Sequence, residues 1–136
     1  MRCCALGWLL LAAGCGGTAA PPPSESQAVA LRFLTALKDQ DWPVAYAALQ
    51  PDGRTRLTPA QFAERARRYR QGLGFEPTAA HVRSCEERGD EAVAHVTLTG
   101  QSNGHQRFHK DAVTLRRGAD GWGVVLPPRF GQVRPR

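Results

Sequence analysis

At Thr78 the apolar residues of this chain change their period: they recur every three or four positions before it and every second position after it. The first spacing lines one side of a helix and the second lines one face of a strand. Helices first and a meander of strands afterwards is the α+β pattern. The expectation is about three N-terminal helices packed on a curved four-stranded antiparallel sheet, in a cone-like arrangement.

Ser24-Glu25-Ser26-Gln27 offers a capping box, and Ala30, Phe33, Leu34 and Leu37 follow at helical spacing with Arg32, Thr35 and Lys38 between them. Asp41 can cap a second helix, with Pro43 tolerated in its first turn. Val44, Ala45, Tyr46 and Leu49 give that helix its apolar side, and Pro51-Asp52-Gly53 ends it. Thr58-Pro59-Ala60-Gln61 repeats the capping logic for a third helix, whose inward stripe is Phe62, Ala66 and Tyr69 and whose end is marked by Gly72 and Gly74. Strands are expected over His81 to Glu86, Glu91 to Thr99, Gln106 to Arg117 and Trp122 to Leu126. Their turns, Arg88-Gly89-Asp90, Ser102-Asn103-Gly104 and Gly118-Ala119-Asp120-Gly121, are rich in residues that accept positive φ. The domain is expected to span residues 26–126, with 127–136 leaving the sheet as coil.

Three of the four cysteines, Cys3, Cys4 and Cys15, lie in the first fifteen residues. Cys85 therefore has no partner for an internal disulfide in the domain and reads as a buried strand thiol. Arg2, the apolar run Ala5 to Ala13 and the closing Leu11-Ala12-Ala13-Gly14-Cys15 together resemble a lipobox. The nine-residue run is short of the roughly 20 residues needed to span a bilayer, so residues 1–14 read as a lipoprotein signal peptide. The resemblance implies that Cys15 becomes the first residue, thioether-linked to diacylglycerol and often N-acylated, with palmitate-type chains that hold the protein on a membrane. Residues 15–25, with Pro21-Pro22-Pro23, then form a semi-stiff tether reaching at most about 35 Å. The expected address is the cell envelope, exported and lipid-anchored, at the outer membrane or the outer face of the cytoplasmic membrane.

The formal net charge is +6, and +5 once Arg2 is removed. Arg65, Arg67, Arg68 and Arg70 cluster on the third helix, flanked by Arg54 and Arg56, and are candidates for contact with anionic lipid or cell-wall polymer. Aromatic interleaving of the nucleic-acid kind is limited to Tyr69, so no nucleic acid is expected. The sequence contains no phosphate-cradling glycine loop, no Gly-x-Ser-x-Gly elbow and no paired-cysteine metal site, and no cofactor is expected. His105 and His109 are four apart at a strand start, hence about 13 Å apart, and read as exposed hairpin histidines. Arg88-Gly89-Asp90 matches a short cell-adhesion motif, but Gly-Asp is also what a tight turn requires.

The first helix, the phrase Lys38-Asp39-Gln40-Asp41-Trp42-Pro43-Val44-Ala45-Tyr46 and the closing strand Gly121-Trp122-Gly123-Val124-Val125 resemble the nuclear transport factor 2-like superfamily, over about Ser26 to Leu126. The small strand element usual between the second and third helices would have to shrink into Arg54 to Leu57. The resemblance implies a cone of helices on a bent sheet, with any ligand between the two layers. It makes Tyr46, Tyr69, His81, His95 and Asp111 the residues to watch, since enzymes of the superfamily set an Asp or His base beside a Tyr. Both tyrosines nevertheless read first as core packing with the hydroxyl at the boundary, and His95 as facing solvent. The expectation is a membrane-anchored envelope lipoprotein whose domain binds a small apolar ligand or a protein without catalysis. Two alternatives stand beside it: an isomerase- or dehydratase-like enzyme, and a structural module that forms a homodimer.

Overall fold

Ser24 accepts a hydrogen bond from the Gln27 amide at 3.3 Å and starts α1 (Glu25–Asp39). Only this half of the expected box forms there. Asp41 in turn accepts from the Val44 amide at 3.3 Å and starts α2 (Trp42–Ala47). The computed structural model describes residues 16–17 and 21–132, so the signal segment and Cys15 lie outside the described residues. It continues with α3 (Pro51–Arg56), α4 (Pro59–Gly72), β1 (Glu76–Arg88), β2 (Glu91–Ser102), β3 (His105–Gly118) and β4 (Gly121–Val125). The strands form one antiparallel meander in the order β1-β2-β3-β4.

At α4 the capping box is complete: Thr58 Oγ1 accepts from the Gln61 amide at 3.2 Å and Gln61 Oε1 accepts from the Thr58 amide at 3.0 Å. The structure adds α3 to the expected helices. Pro51-Asp52-Gly53 does not merely end a helix, because Pro51 also occupies the first turn of a new one, where its fixed φ and missing N–H cost nothing. The chain entering α3 runs along the free edge of β4, with the Gln50 amide donating to the Val124 carbonyl at 2.9 Å and the Val124 amide to Ala48 at 2.8 Å. An edge that would otherwise offer unpaired backbone groups is thereby covered. The approach is so close that a Cβ on Gly123 would lie 2.9 Å from the Gln50 backbone.

Ala92, Ala94, Val96 and Leu98 of β2, Val113 and Leu115 of β3, and Trp122 and Val124 of β4 bury one face of the sheet. Against it pack Ala30, Phe33, Leu34 and Leu37 of α1 and Phe62 and Ala66 of α4. Each large side chain here is worth about 1.5–3 kcal/mol of burial, which makes this layer the main stabilising element.

Residues 127–132 are coil and turn, but they do not leave the fold. They turn back so that Phe130 is only 7% exposed, inside the core cluster. Their hydrogen bonds are internal: the Phe130 amide donates to Pro127 at 3.0 Å, the Gln132 amide to Arg129 at 3.0 Å and the Gln132 side chain to Pro128 at 3.3 Å. Among the described residues no hydrogen bond joins this segment to the rest of the fold. Burying one phenylalanine contributes about 1.5–3 kcal/mol, and with no hydrogen bond to the body that ring is the segment's main hold on the fold.

Candidate functional site

The register of β3 on β2 pairs Val113 with Ala94, Asp111 with Val96 and His109 with Leu98. Asp111 and His109 therefore lie on the core-facing side of the sheet, in line with Val113 but beyond the part that the helices bury. Tyr69, at the same end of α4, reaches them: its hydroxyl donates to Asp111 Oδ2 at 3.0 Å. The other carboxylate oxygen accepts from the Ala112 amide at 2.8 Å. His109 Nε2 lies 3.7 Å from Asp111 Oδ2, and its ring meets Tyr69 edge-on at 6.1 Å. Burial, then the Asp111 charge, then the hydrogen bond to it raise the Tyr69 pKa well above the phenol's ordinary value. Tyr69 is consequently a fixed proton donor, while Asp111 and His109 remain about two-fifths exposed.

Below this rim the cone is filled by aromatic rings. Phe130 stacks on Tyr69 at 5.1 Å and 23°, lies parallel to Phe62 at 6.1 Å and 7°, and tilts against Phe33 at 6.4 Å. Tyr46 closes the other side against Phe62 at 5.7 Å. The Tyr46 hydroxyl, 2.9 and 2.8 Å from the carbonyl oxygens of Arg54 and Leu57, shares its single proton between them. Tyr46 thus ties down α3 and is not free to meet a ligand.

The expectation that His81 lines the cavity is corrected. His81 pairs with Thr97, which alternates with the inward Val96 and Leu98, so it stands exposed on the outer face of the sheet. His95 is exposed on the same outer face. Asp111, by contrast, meets Tyr69, and His109 joins them although its sequence position pointed only to an exposed hairpin.

The basic cluster divides in two. Arg67 and Arg68 are exposed and share Glu64 at 3.6 and 3.0 Å, and the Arg67 guanidinium sits 5.9 Å from the Trp42 ring. Arg65 is partly covered where Gly131 crosses its backbone. The placement of Arg70 on the anionic-contact surface is corrected: its side chain is 9% exposed, donates to the Leu37 carbonyl at 3.1 Å and to that of Lys38, and pairs with Glu76. A guanidinium there satisfies the Lys38 carbonyl at the end of α1 and adds a second donor to the Leu37 carbonyl, which the Gln40 amide also reaches at 3.3 Å. The arginines border two open hollows. One, of about 360 Å³, includes Trp42, Arg67, Phe75 and Glu76; the other, of about 480 Å³, includes Arg56, Gln61, Arg65 and Arg68.

Cys85 is half-buried on the inner side of β1, its Sγ 3.3 Å from the hydroxyl of the fully buried Ser26, which also bonds Glu87. Among the described residues no three His, Cys, Asp or Glu side chains converge on a point where a metal could sit. Nor is any helix among them long and apolar enough to cross a membrane.

An α+β cone of four helices on an open four-stranded antiparallel sheet defines the class to which this fold belongs, the nuclear transport factor 2-like fold. No family model matches the sequence, and no curated protein does. Among solved structures, a Campylobacter jejuni protein described as a candidate NTF2-like transpeptidase superposes with a TM-score of 0.56 at 14% identity, over 76% of this chain and all of that one. A SEC-C motif protein from Rhodopseudomonas palustris superposes with a TM-score of 0.54 at 14% identity, over 71% of this chain and 72% of that one. At such identities the likeness is one of fold.

Proposed function

We propose that this chain is an exported envelope lipoprotein, anchored through lipid on Cys15, whose domain is a non-catalytic module that binds a protein or a small apolar ligand. The observation that carries the non-catalytic reading is the filled cone: Phe33, Phe62, Tyr69 and Phe130 occupy the space between the layers in which a reaction would need room. The anchoring half rests on the sequence around Cys15. The exposed Arg67 and Arg68, with Arg56 and Arg65 beside them, favour encounter with anionic lipid or cell-wall polymer at the tether's short reach. Cell fractionation with mass spectrometry of the mature N-terminus tests the anchor. Wild-type protein is expected in the membrane fraction with an acylated Cys15, and Cys15→Ser protein in the soluble fraction. An unacylated, soluble wild-type protein would end the proposal.

One observation favours a second reading. A carboxylate beside a tyrosine donor, as in Asp111 and Tyr69, is the pairing that can remove a proton next to a carbonyl while the phenol steadies the oxyanion. Deuterium exchange into simple enolisable ketones distinguishes the two: the enzyme reading requires exchange that Asp111→Asn abolishes, and the binding reading requires none above background.

A further inference from the structure

We propose that Phe130 is a built-in occupant of a binding pocket, and that the pocket accepts a small planar aromatic molecule bearing a hydrogen-bond donor, such as a phenol or an indole, when residues 127–132 swing out. The proposal rests on the binding half of the function proposed above and is independent of the lipid anchor.

The walls belong to the rigid part of the fold, the ring itself to the part held least firmly. Phe33 comes from α1, and Phe62 and Tyr69 from α4, each helix capped and packed on the sheet. The ring lodged between them comes from a coil segment whose hydrogen bonds are all internal, so it can leave without breaking a backbone hydrogen bond to the body. What remains is a slot shaped for one aromatic ring, with stacking partners at 5.1 and 6.1 Å. Its rim is polar and half open, because the Tyr69 hydroxyl holds the Asp111 carboxylate there with His109 beside it. A carboxylate oxygen accepts more than one hydrogen bond, so Asp111 can take a donor from a ligand while keeping Tyr69. An apolar slot with one oriented acceptor at its edge is the composition of a small-molecule site.

The segment also carries its own release point. Gly131 has φ +67°, and a Cβ there would lie 2.1 Å from the Arg65 carbonyl oxygen. Gly131→Ala therefore drives the segment off α4 without altering any residue of the slot, and Phe130→Ala empties the slot while leaving the backbone alone.

The test uses the whole chain, wild type and the two variants, with indole as probe. Two readouts are followed: indole affinity by calorimetry, and tryptic cleavage after Arg129, identified by mass spectrometry under native conditions. Raising the open fraction raises apparent affinity in proportion, so both variants are expected to bind indole about tenfold or more tightly than wild type. Gly131→Ala is expected to be cut after Arg129 faster by a similar factor, and saturating indole to accelerate that cut in the wild type. Should Phe130→Ala fail to fold, Phe130→Leu serves, with a smaller gain. Cleavage after Arg129 in Gly131→Ala no faster than in the wild type would overturn the plug. Faster cleavage without any gain in indole binding would overturn the pocket. Loss of membrane association in fractionation would count against the anchor alone.

Discussion

Arg70 shows how one side chain can be assigned the right chemistry and the wrong place. In sequence it is one of four arginines within six positions, and nothing local separates it from Arg67 or Arg68. In the fold it is buried over the end of α1 and against Glu76, so removing it takes the side-chain donor from the Lys38 carbonyl and leaves the Leu37 carbonyl with the Gln40 amide alone. Arg70→Ala is expected to lower stability by about 2–3 kcal/mol, read as a shift in the urea midpoint, and Arg67→Ala by less than about 0.5 kcal/mol. Tyr69 makes a second prediction at this scale. Its folded pKa is raised above the ordinary value of 10.0, so the folded state keeps a proton that the unfolded state gives up near that pH. Its contribution is full below about pH 10 and is lost above it, by up to about 1.4 kcal/mol per pH unit. Denaturant titrations from pH 8 to pH 11 should show that fall in the wild type and a shallower one in Tyr69→Phe.

Among the elements, α1 and α4 were legible because each carries its start signal: a Ser or Thr before the first turn, a Gln three residues on and an apolar stripe behind it. The existence and order of the strands were legible too, yet β1 begins at Glu76 where the alternation pointed to His81. Pro77 and two register shifts, at Pro77/Ala79 and Val82/Ser84, break its period of two, and that also misplaced the face on which His81 stands. The helix α3 was hidden because Pro-Asp-Gly has the composition of a turn. Its formation depends on the pairing of Gln50 with Val124, seventy-four positions away. Gly123→Ala tests this dependence. Its Cβ would press on the Gln50 backbone, so it is expected to destabilise the protein by about 1–3 kcal/mol and to raise amide exchange at Gln50 and Val124.

For the whole molecule, the outer face of the sheet bears directly on oligomeric state. Phe108 is 61% exposed there, opposite Thr99, with His81, His95 and Lys110 on the same side. One exposed ring among polar residues is a small apolar patch, well short of what a stable dimer interface buries. Sedimentation of the protein without its lipid is expected to show a monomer at micromolar concentration; a dimer dispersed by Phe108→Asp would establish the homodimer instead. Caps, turns and periods are local and are read within a few positions, so the class of fold, the order of helices and strands and most of the inward residues follow from the residues alone. Which polar side chains meet is set by the folded chain. The meeting of Tyr69 with Asp111, the burial of Arg70 and the return of Phe130 into the cone each depend on strand register and on contacts far apart in the chain, where local propensity has no hold.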